Sequence, residues 1–145
     1  MMIYLAAPLK TDEQRTRNMG IAHIIRQHYK GGTNSQMRIY LPQHYMVLKP
    51  NATREERRGV YFENLKRIEQ SELVVAVLDE KDTGVIFEMG FRACTKRPLI
   101  AVYLIPSAVV NVMLTEGCYA VCNGEDEFKG WLQNPRPVHY SGGTE

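Results

Sequence analysis

Short apolar runs alternate along the chain with longer segments whose apolar positions recur every three or four residues. Met2–Ala6 is the first apolar run, and Pro8 closes it, as expected of a buried strand that leads into a loop. Thr11–Tyr29 carries Met19, Ala22, Ile25 and Tyr29 at helical spacing, and Gly31-Gly32 predicts where that helix stops. Met37–Leu41 predicts a second strand closed by Pro42, and Gln43–Asn51 a loop. Thr53–Gln70 predicts a charged helix, with Arg54-Glu55-Glu56-Arg57-Arg58 as a solvated face. Leu73–Leu78 is apolar on both faces and β-branched, the pattern of a central parallel strand. A polar turn at Asp79–Thr83, a helix over Gly84–Thr95 and a buried strand over Pro98–Ile105 follow. The remaining elements are a short helix at Val109–Leu114, a last strand at Tyr119–Cys122 and a closing helix at Glu125–Leu132. Phe128 and Trp131 are expected to anchor that closing helix to the core.

Strands that alternate with helical segments imply right-handed βαβ units and a parallel sheet. Five such strands predict an α/β single domain, a flavodoxin-like doubly wound five-stranded parallel sheet in the order 2-1-3-4-5. The domain is expected over residues 1–133. Pro135, Pro137 and Gly142-Gly143 predict an extended or flexible tail over 134–145. Ligands of such sheets sit at the carboxyl ends of the strands. That brings together the loops after Tyr4-Leu5-Ala6, after Leu78 and after Ile105.

Composition narrows the partners. The 145 residues are 44% hydrophobic and 23% charged, with a formal net charge of +2. So small a charge argues for no polymeric nucleic acid and no membrane surface. No apolar run approaches the ~20 residues of a membrane span. The apolar opening is short and lacks a basic lead, so it reads as a strand rather than a signal peptide. Cys94, Cys118 and Cys122 are odd in number, which argues for reduced thiols and a cytoplasmic location. His23, His28, His44 and His139 form no ligand spacing, so neither a metal nor another cofactor is expected.

The chemistry-bearing stretch is Asp79-Glu80-Lys81-Asp82-Thr83-Gly84-Val85-Ile86-Phe87-Glu88-Met89-Gly90. Asp82 or Thr83 suits the cap of the helix that follows, and Gly84 lets another group approach the backbone. Glu88 falls in the first turns of that helix between apolar neighbours, where a carboxylate bears a desolvation cost unless it has a partner or a function. The local pattern leaves two readings open, a catalytic Glu88 or a merely hydrogen-bonded one.

Three elements resemble the nucleoside 2-deoxyribosyltransferase family. They are Ile3-Tyr4-Leu5-Ala6-Ala7-Pro8, the run from Ser71 to Asp79 followed by Asp82-Thr83-Gly84-x-x-x-Glu88-x-Gly90, and Asn111-Val112-Met113. They occur in the family's order and span residues 3 to 113. The resemblance implies that Glu88 is a nucleophile that holds 2-deoxyribose as an ester. It implies that the Tyr4 hydroxyl orients that carboxylate and that Asp82 contacts sugar hydroxyls. Asn111 matches a residue that reaches the 5′ end of the sugar, often from a neighbouring subunit, and Met113 one that packs nearby. Asn64, Asp79, Thr83, Gly84 and Gln43 complete the expected substrate-binding set. The physics of those roles is consistent, since a carboxylate beneath an oxocarbenium-like centre stabilises it and can bond to it. Excluding water then favours transfer to a second base over hydrolysis.

Two residues depart from the family's pattern. Asn64 stands where many members carry an acid, eight positions before Glu72, and an amide cannot donate a proton as an acid does. It could hydrogen-bond the base, with protonation coming from water or another carboxylate, of which Asp79 and Glu80 are nearby candidates. Ala7 stands where the family usually has glycine. The implied partners are a deoxynucleoside and a free nucleobase. A homo-oligomer is expected, because a short sheet leaves the pocket open on one side. Two alternatives stand beside transfer: a hydrolase of nucleoside 5′-monophosphates on the same fold, with Thr83-Gly84 and Lys10 at the phosphate, and a nucleotide-binding sensor domain without turnover.

Overall fold

A computed structural model describes residues 1–30 and 36–145. The helix stop expected at Gly31-Gly32 lies outside the described residues. In chain order the elements are β1 (Met2–Ala6), α1 (Asp12–Lys30), β2 (Arg38–Tyr40), α2 (Arg54–Gln70), β3 (Leu73–Val77), α3 (Thr83–Cys94) and β4 (Leu99–Tyr103). Then come β5 (Val109–Val110), α4 (Val112–Gly117), β6 (Ala120–Asn123), α5 (Glu125–Gln133) and β7 (Gly143–Thr144). A single turn of 3₁₀ helix at Pro42–His44 follows β2.

The main sheet has five strands in the order β2-β1-β3-β4-β6, and every pairing is parallel. This is the expected flavodoxin-like order, with β6 as fifth strand because the short β5 precedes it. All five residues of β3 and of β4 are buried, as continuous apolar runs in a sheet covered on both faces must be. Alternation along the strands divides the core. Ile3, Leu5, Val75, Val77, Ile100 and Val102 face α1 and α5, where they meet Ile21, Ile25, Phe128 and Trp131. Tyr4, Ala6, Val74, Ala76, Leu99 and Ala101 face α2 and α3, where they meet Ile68, Val85 and Met89. Each fully buried aliphatic side chain contributes roughly 1.5–3 kcal/mol.

Local signals explain the helix boundaries. Thr53 caps α2 through a reciprocal pair in which its hydroxyl accepts from the Glu56 N–H and Glu56 accepts from the Thr53 N–H. Gly124 precedes α5 at φ 127°, a conformation that side-chain-bearing residues rarely adopt. The helix expected at Val109–Leu114 begins later than its apolar run. Val109–Val110 is instead a strand that pairs with Gly143–Thr144, and Asn111 caps a helix that runs to Gly117. Two adjacent β-branched residues favour the extended pairing, and the Asn111 side chain fixes the helix start by accepting from the Met113 N–H. In α1 the buried stripe is Asn18, Ile21, Ala22 and Ile25, and Met19 is 41% exposed. Asn18 takes the inward position because its amide ties two loops together, as described below.

Among the described residues no helix is long and apolar enough to cross a membrane. Nor, among those residues, does any group of three or more His, Cys, Asp or Glu side chains converge as metal ligands would.

Candidate active site

Parallel strands end on one side of the sheet, and the loops after β1, β2 and β3 meet there around a cavity of about 170 Å³. Ala7, Pro8, Leu9 and Lys10 form one wall, Pro42 and Asn64 another, and Asp82, Gly84, Val85 and Glu88 the third. Pockets that enclose whole drug-sized ligands span ~300–1,000 Å³, so this cavity suits a sugar ring with its substituent at the mouth.

Glu88 reaches the cavity from the second turn of α3. Val85, Met89 and Arg92 form the buried stripe of that helix, and Glu88 sits beside it, half-buried against α2. Tyr4 is wholly buried on β1, and its hydroxyl donates to Glu88 Oε1 at 2.6 Å. Asn64 Nδ2, from α2, donates to the same oxygen at 3.3 Å. Both bonds fall on Oε1, so Oε2 is the carboxylate oxygen left for a ligand. Burial pushes the Glu88 pKa up to about 7; Tyr4 and Asn64 pull it down and the charge of Asp82 adds to the rise. Burial and the neighbouring Glu88 carboxylate raise the Tyr4 pKa, so Tyr4 keeps its proton and remains a donor. Tyr40, its partner across the β1–β2 ladder, stacks on its ring at 5.5 Å between centroids. Two rings packed this way hold the hydroxyl in place.

Asp82 caps α3. Its Oδ1 accepts from the N–H groups of Gly84 and Val85 at 2.9 and 3.2 Å, and Lys10 Nζ lies 2.8 Å from Oδ2. Burial alone would raise this carboxyl, but the Lys10 ammonium and the two N–H groups outweigh it and hold the pKa below the usual range. A side chain at Gly84 would crowd Asp82 Oδ1 at 3.1 Å, so glycine keeps the cap tight.

The structure therefore brings Glu88, Tyr4, Asn64, Asp82 and Gly84 together. The other expected site residues lie elsewhere. Asp79 accepts from the N–H groups of Leu104 and Ile105 with both oxygens, which ties the β3 exit to the β4 exit. Gln43 accepts from Asn18 Nδ2 at 3.0 Å and donates to the Arg15 carbonyl at 3.0 Å. Asn18, itself 2% exposed, also donates to the Pro8 carbonyl at 2.8 Å. This clasp fixes both loops that wall the cavity, so Gln43 positions the walls rather than lining them. Thr83 is exposed on the first turn of α3. Asn111 and Met113 line a second, largely apolar cavity of about 390 Å³ with Ile86 and Tyr103, and Met113 is 77% exposed there. Lys10 was legible only as a cation in the first loop. Its approach to Asp82 spans 72 positions and has no local signal.

The fold and the site define a flavodoxin-like α/β protein with a sugar-sized carboxylate pocket at the carboxyl edge of its sheet. The chain belongs to the nucleoside 2-deoxyribosyltransferase family, whose model matches residues 3–123. Membership makes it an enzyme of glycosyl transfer or N-glycosidic cleavage. Its fold resembles that of a 2-deoxyribosyltransferase from Bacillus psychrosaccharolyticus, with a TM-score of 0.71 and 18% identity over 92% of this chain and 91% of that one. A conserved protein from Enterococcus faecalis V583 matches with a TM-score of 0.62 and 22% identity, covering 100% of this chain and 81% of that one. A CMP N-glycosidase from Clostridium botulinum matches with a TM-score of 0.57 and 14% identity, over 91% and 98% of the two chains. None of the curated proteins matches the chain.

Proposed function

We propose that the protein transfers 2-deoxyribose between nucleobases through an ester on Glu88. The observation that carries this reading is the asymmetry of the Glu88 carboxylate. Two donors orient Oε1, and among the described residues none bonds Oε2, the free oxygen of a carboxylate that lines a sugar-sized cavity. Oε2 attacks C1′, the electron pair of the C1′–N bond leaves with the base, and the resulting ester is attacked by a second base. Asp82 Oδ2 accepts from a sugar hydroxyl, which draws on the same oxygen that holds Lys10. Asn111 and Met113, remote from this cavity within one chain, would act on the cavity of a second copy in a homo-oligomer.

Lys10 favours a second reading. In that reading its ammonium, 74% exposed at the rim, turns from Asp82 to a 5′-phosphate, with water as acceptor. Incubation with 2′-deoxyinosine and free cytosine separates the two. Transfer predicts formation of 2′-deoxycytidine. Release of free sugar phosphate from a deoxynucleoside monophosphate, with no exchanged nucleoside from any donor, would reject it.

The pH dependence follows from the carboxylate. Only ionised Glu88 attacks, so kcat/KM is expected to rise with pH and level off above about 7. Tyr4→Phe removes a bond that favours the ionised form, so the rise should move to higher pH. A hydrogen bond to a charged group is worth about 1.5–3 kcal/mol, so the rate at pH 7 should fall about 10–100-fold. Part of that loss should return by pH 9. A Tyr4→Phe profile that superimposes on the wild type between pH 5 and 9 would show that the hydroxyl does not act through Glu88.

A further inference from the structure

The cavity is supplied with acceptors, and its donors are already engaged. Tyr4 OH and Asn64 Nδ2 both serve Glu88 Oε1, and Lys10 Nζ serves Asp82 Oδ2. Among the described residues no hydrogen bond reaches Glu88 Oε2, and Asn64 Oδ1 is buried without a partner. The Asn64 amide cannot simply be turned over. Its Oδ1 would then face the Glu88 carboxylate, an oxygen against an oxygen, so ionised Glu88 holds Nδ2 towards itself. A ligand that completes this site must bring donors, and two carboxylates beside one small cavity favour a positive charge.

The same arrangement bears on the departing base. When C1′–N breaks, the electron pair moves onto the base nitrogen. A neutral base leaves as an anion and needs a proton. A base with a fixed positive ring charge leaves as a neutral molecule and needs none. Asn64 has no acidic proton, Asp82 is held ionised by Lys10 and two backbone N–H groups, and Glu88 is the attacking group.

We propose that the site prefers nucleosides whose base carries a fixed positive ring charge. The inference rests on Glu88 as the nucleophile and names the substrate class that this nucleophile serves. Charge and atoms balance. The Glu88 carboxylate and the cationic nucleoside give a neutral deoxyribosyl ester and a neutral base. The ester is then resolved by an incoming base, or by water that passes its proton to solvent. Asn64 is a specificity-determining residue in this scheme, because its amide beside Glu88 has no acidic proton to give to a departing base.

The experiment compares 7-methyl-2′-deoxyguanosine with 2′-deoxyguanosine, with the rate measured in Glu88→Gln as the blank for spontaneous loss of the methylated base. Wild-type kcat/KM should favour the methylated nucleoside by at least about 100-fold, the scale of a missing general acid. Asn64→Asp restores an acid. It should narrow the kcat/KM ratio between the methylated nucleoside and 2′-deoxyguanosine at least about tenfold, whatever loss of the Nδ2 bond to Glu88 does to both rates. Wild-type rates on the two donors within about tenfold of each other overturn the proposal and leave the Glu88 reading standing. A parallel change on both donors in Asn64→Asp does the same. Cleavage of neither by the wild type overturns both. The wild-type ratio stands without the variant, so poor folding of Asn64→Asp does not shelter the proposal.

Discussion

Glu88→Gln is expected to abolish sugar transfer, with kcat reduced by on the order of 10⁴-fold or more, as removal of a nucleophile does elsewhere. Gln is nearly isosteric and its Oε1 can still accept from Tyr4 and Asn64, so the pocket should persist without its reactive oxygen. A second readout comes from stability. The folded protein raises the Glu88 pKa from 4.5 to about 7, because burial disfavours the charge. Such a group contributes stability that is fully present below pH 4.5 and lost as pH rises through about 7. The loss is on the order of 3 kcal/mol. Gln carries no charge to lose, so Glu88→Gln should be more stable than the wild type at pH 8 and no more stable at pH 4.5. Denaturant melts at the two pH values give that difference. A 2′-deoxy-2′-fluoro nucleoside should leave its sugar on Glu88 by mass spectrometry of the wild type. An adduct on another residue would reassign the nucleophile. A variant that is inactive and also less stable at pH 8 would mark Glu88 as a structural residue.

The fold was legible because its signals are local. Leu73–Val77 and Leu99–Tyr103 are continuous apolar runs, and such runs between helical segments admit few topologies. The elements that were misplaced depend on distant partners. Val109–Val110 becomes a strand only because Gly143–Thr144 returns to it, across more than thirty positions of intervening chain that include a strand and two helices. Asn18 displaces Met19 from the buried stripe of α1 for a similar reason. Its amide bonds Pro8 and Gln43, on two different loops.

The site divides along the same line. Asp82, Gly84 and Glu88 lie within one cap and the turns after it, so spacing alone places them together. The bond from Tyr4 to Glu88 spans 84 positions, and the family resemblance rather than any local pattern led to it. Asp79 and Gln43 show the opposite outcome. Both are polar residues in loops at the correct sheet edge, and both are engaged in holding those loops. Loop polarity marks the edge where ligands bind, but it does not separate residues that bind from residues that shape the walls. The orientation of the Asn64 amide could not be read at all without Glu88 beside it.

No local pattern marks Arg92, and its removal should have the largest effect on stability. Its side chain is fully buried, and among the described residues no carboxylate bonds it. Instead it donates to four carbonyls: Pro98 through Nε at 3.1 Å, Ile68 and Ser71 through Nη1 at 3.0 Å each, and Glu72 through Nη2 at 2.9 Å. Those carbonyls end α2 and begin β3 and β4, so one guanidinium joins three elements at the amino edge of the sheet. Met at this position fits the stripe of Val85 and Met89 in shape but removes a donor from each carbonyl; Ile68 keeps the Ser71 hydroxyl and Pro98 the Val74 N–H, while Ser71 and Glu72 lose the arginine's bond. Each buried polar group so stranded costs about 1–3 kcal/mol, and local rearrangement recovers part of it. Arg92→Met is therefore expected to lose about 3–5 kcal/mol, seen as a drop of roughly 10 °C or more in Tm. Arg92→Lys should recover part of the loss, since one ammonium reaches some of the carbonyls but lacks the planar fork. The amino edge is the far side of the sheet from the Glu88 cavity. At a temperature where Arg92→Met remains folded, kcat should be close to that of the wild type. A stability change below about 1 kcal/mol would mean that solvent satisfies these carbonyls as well as the arginine does. A collapse of kcat in the folded variant would mean that the two edges of the sheet are coupled.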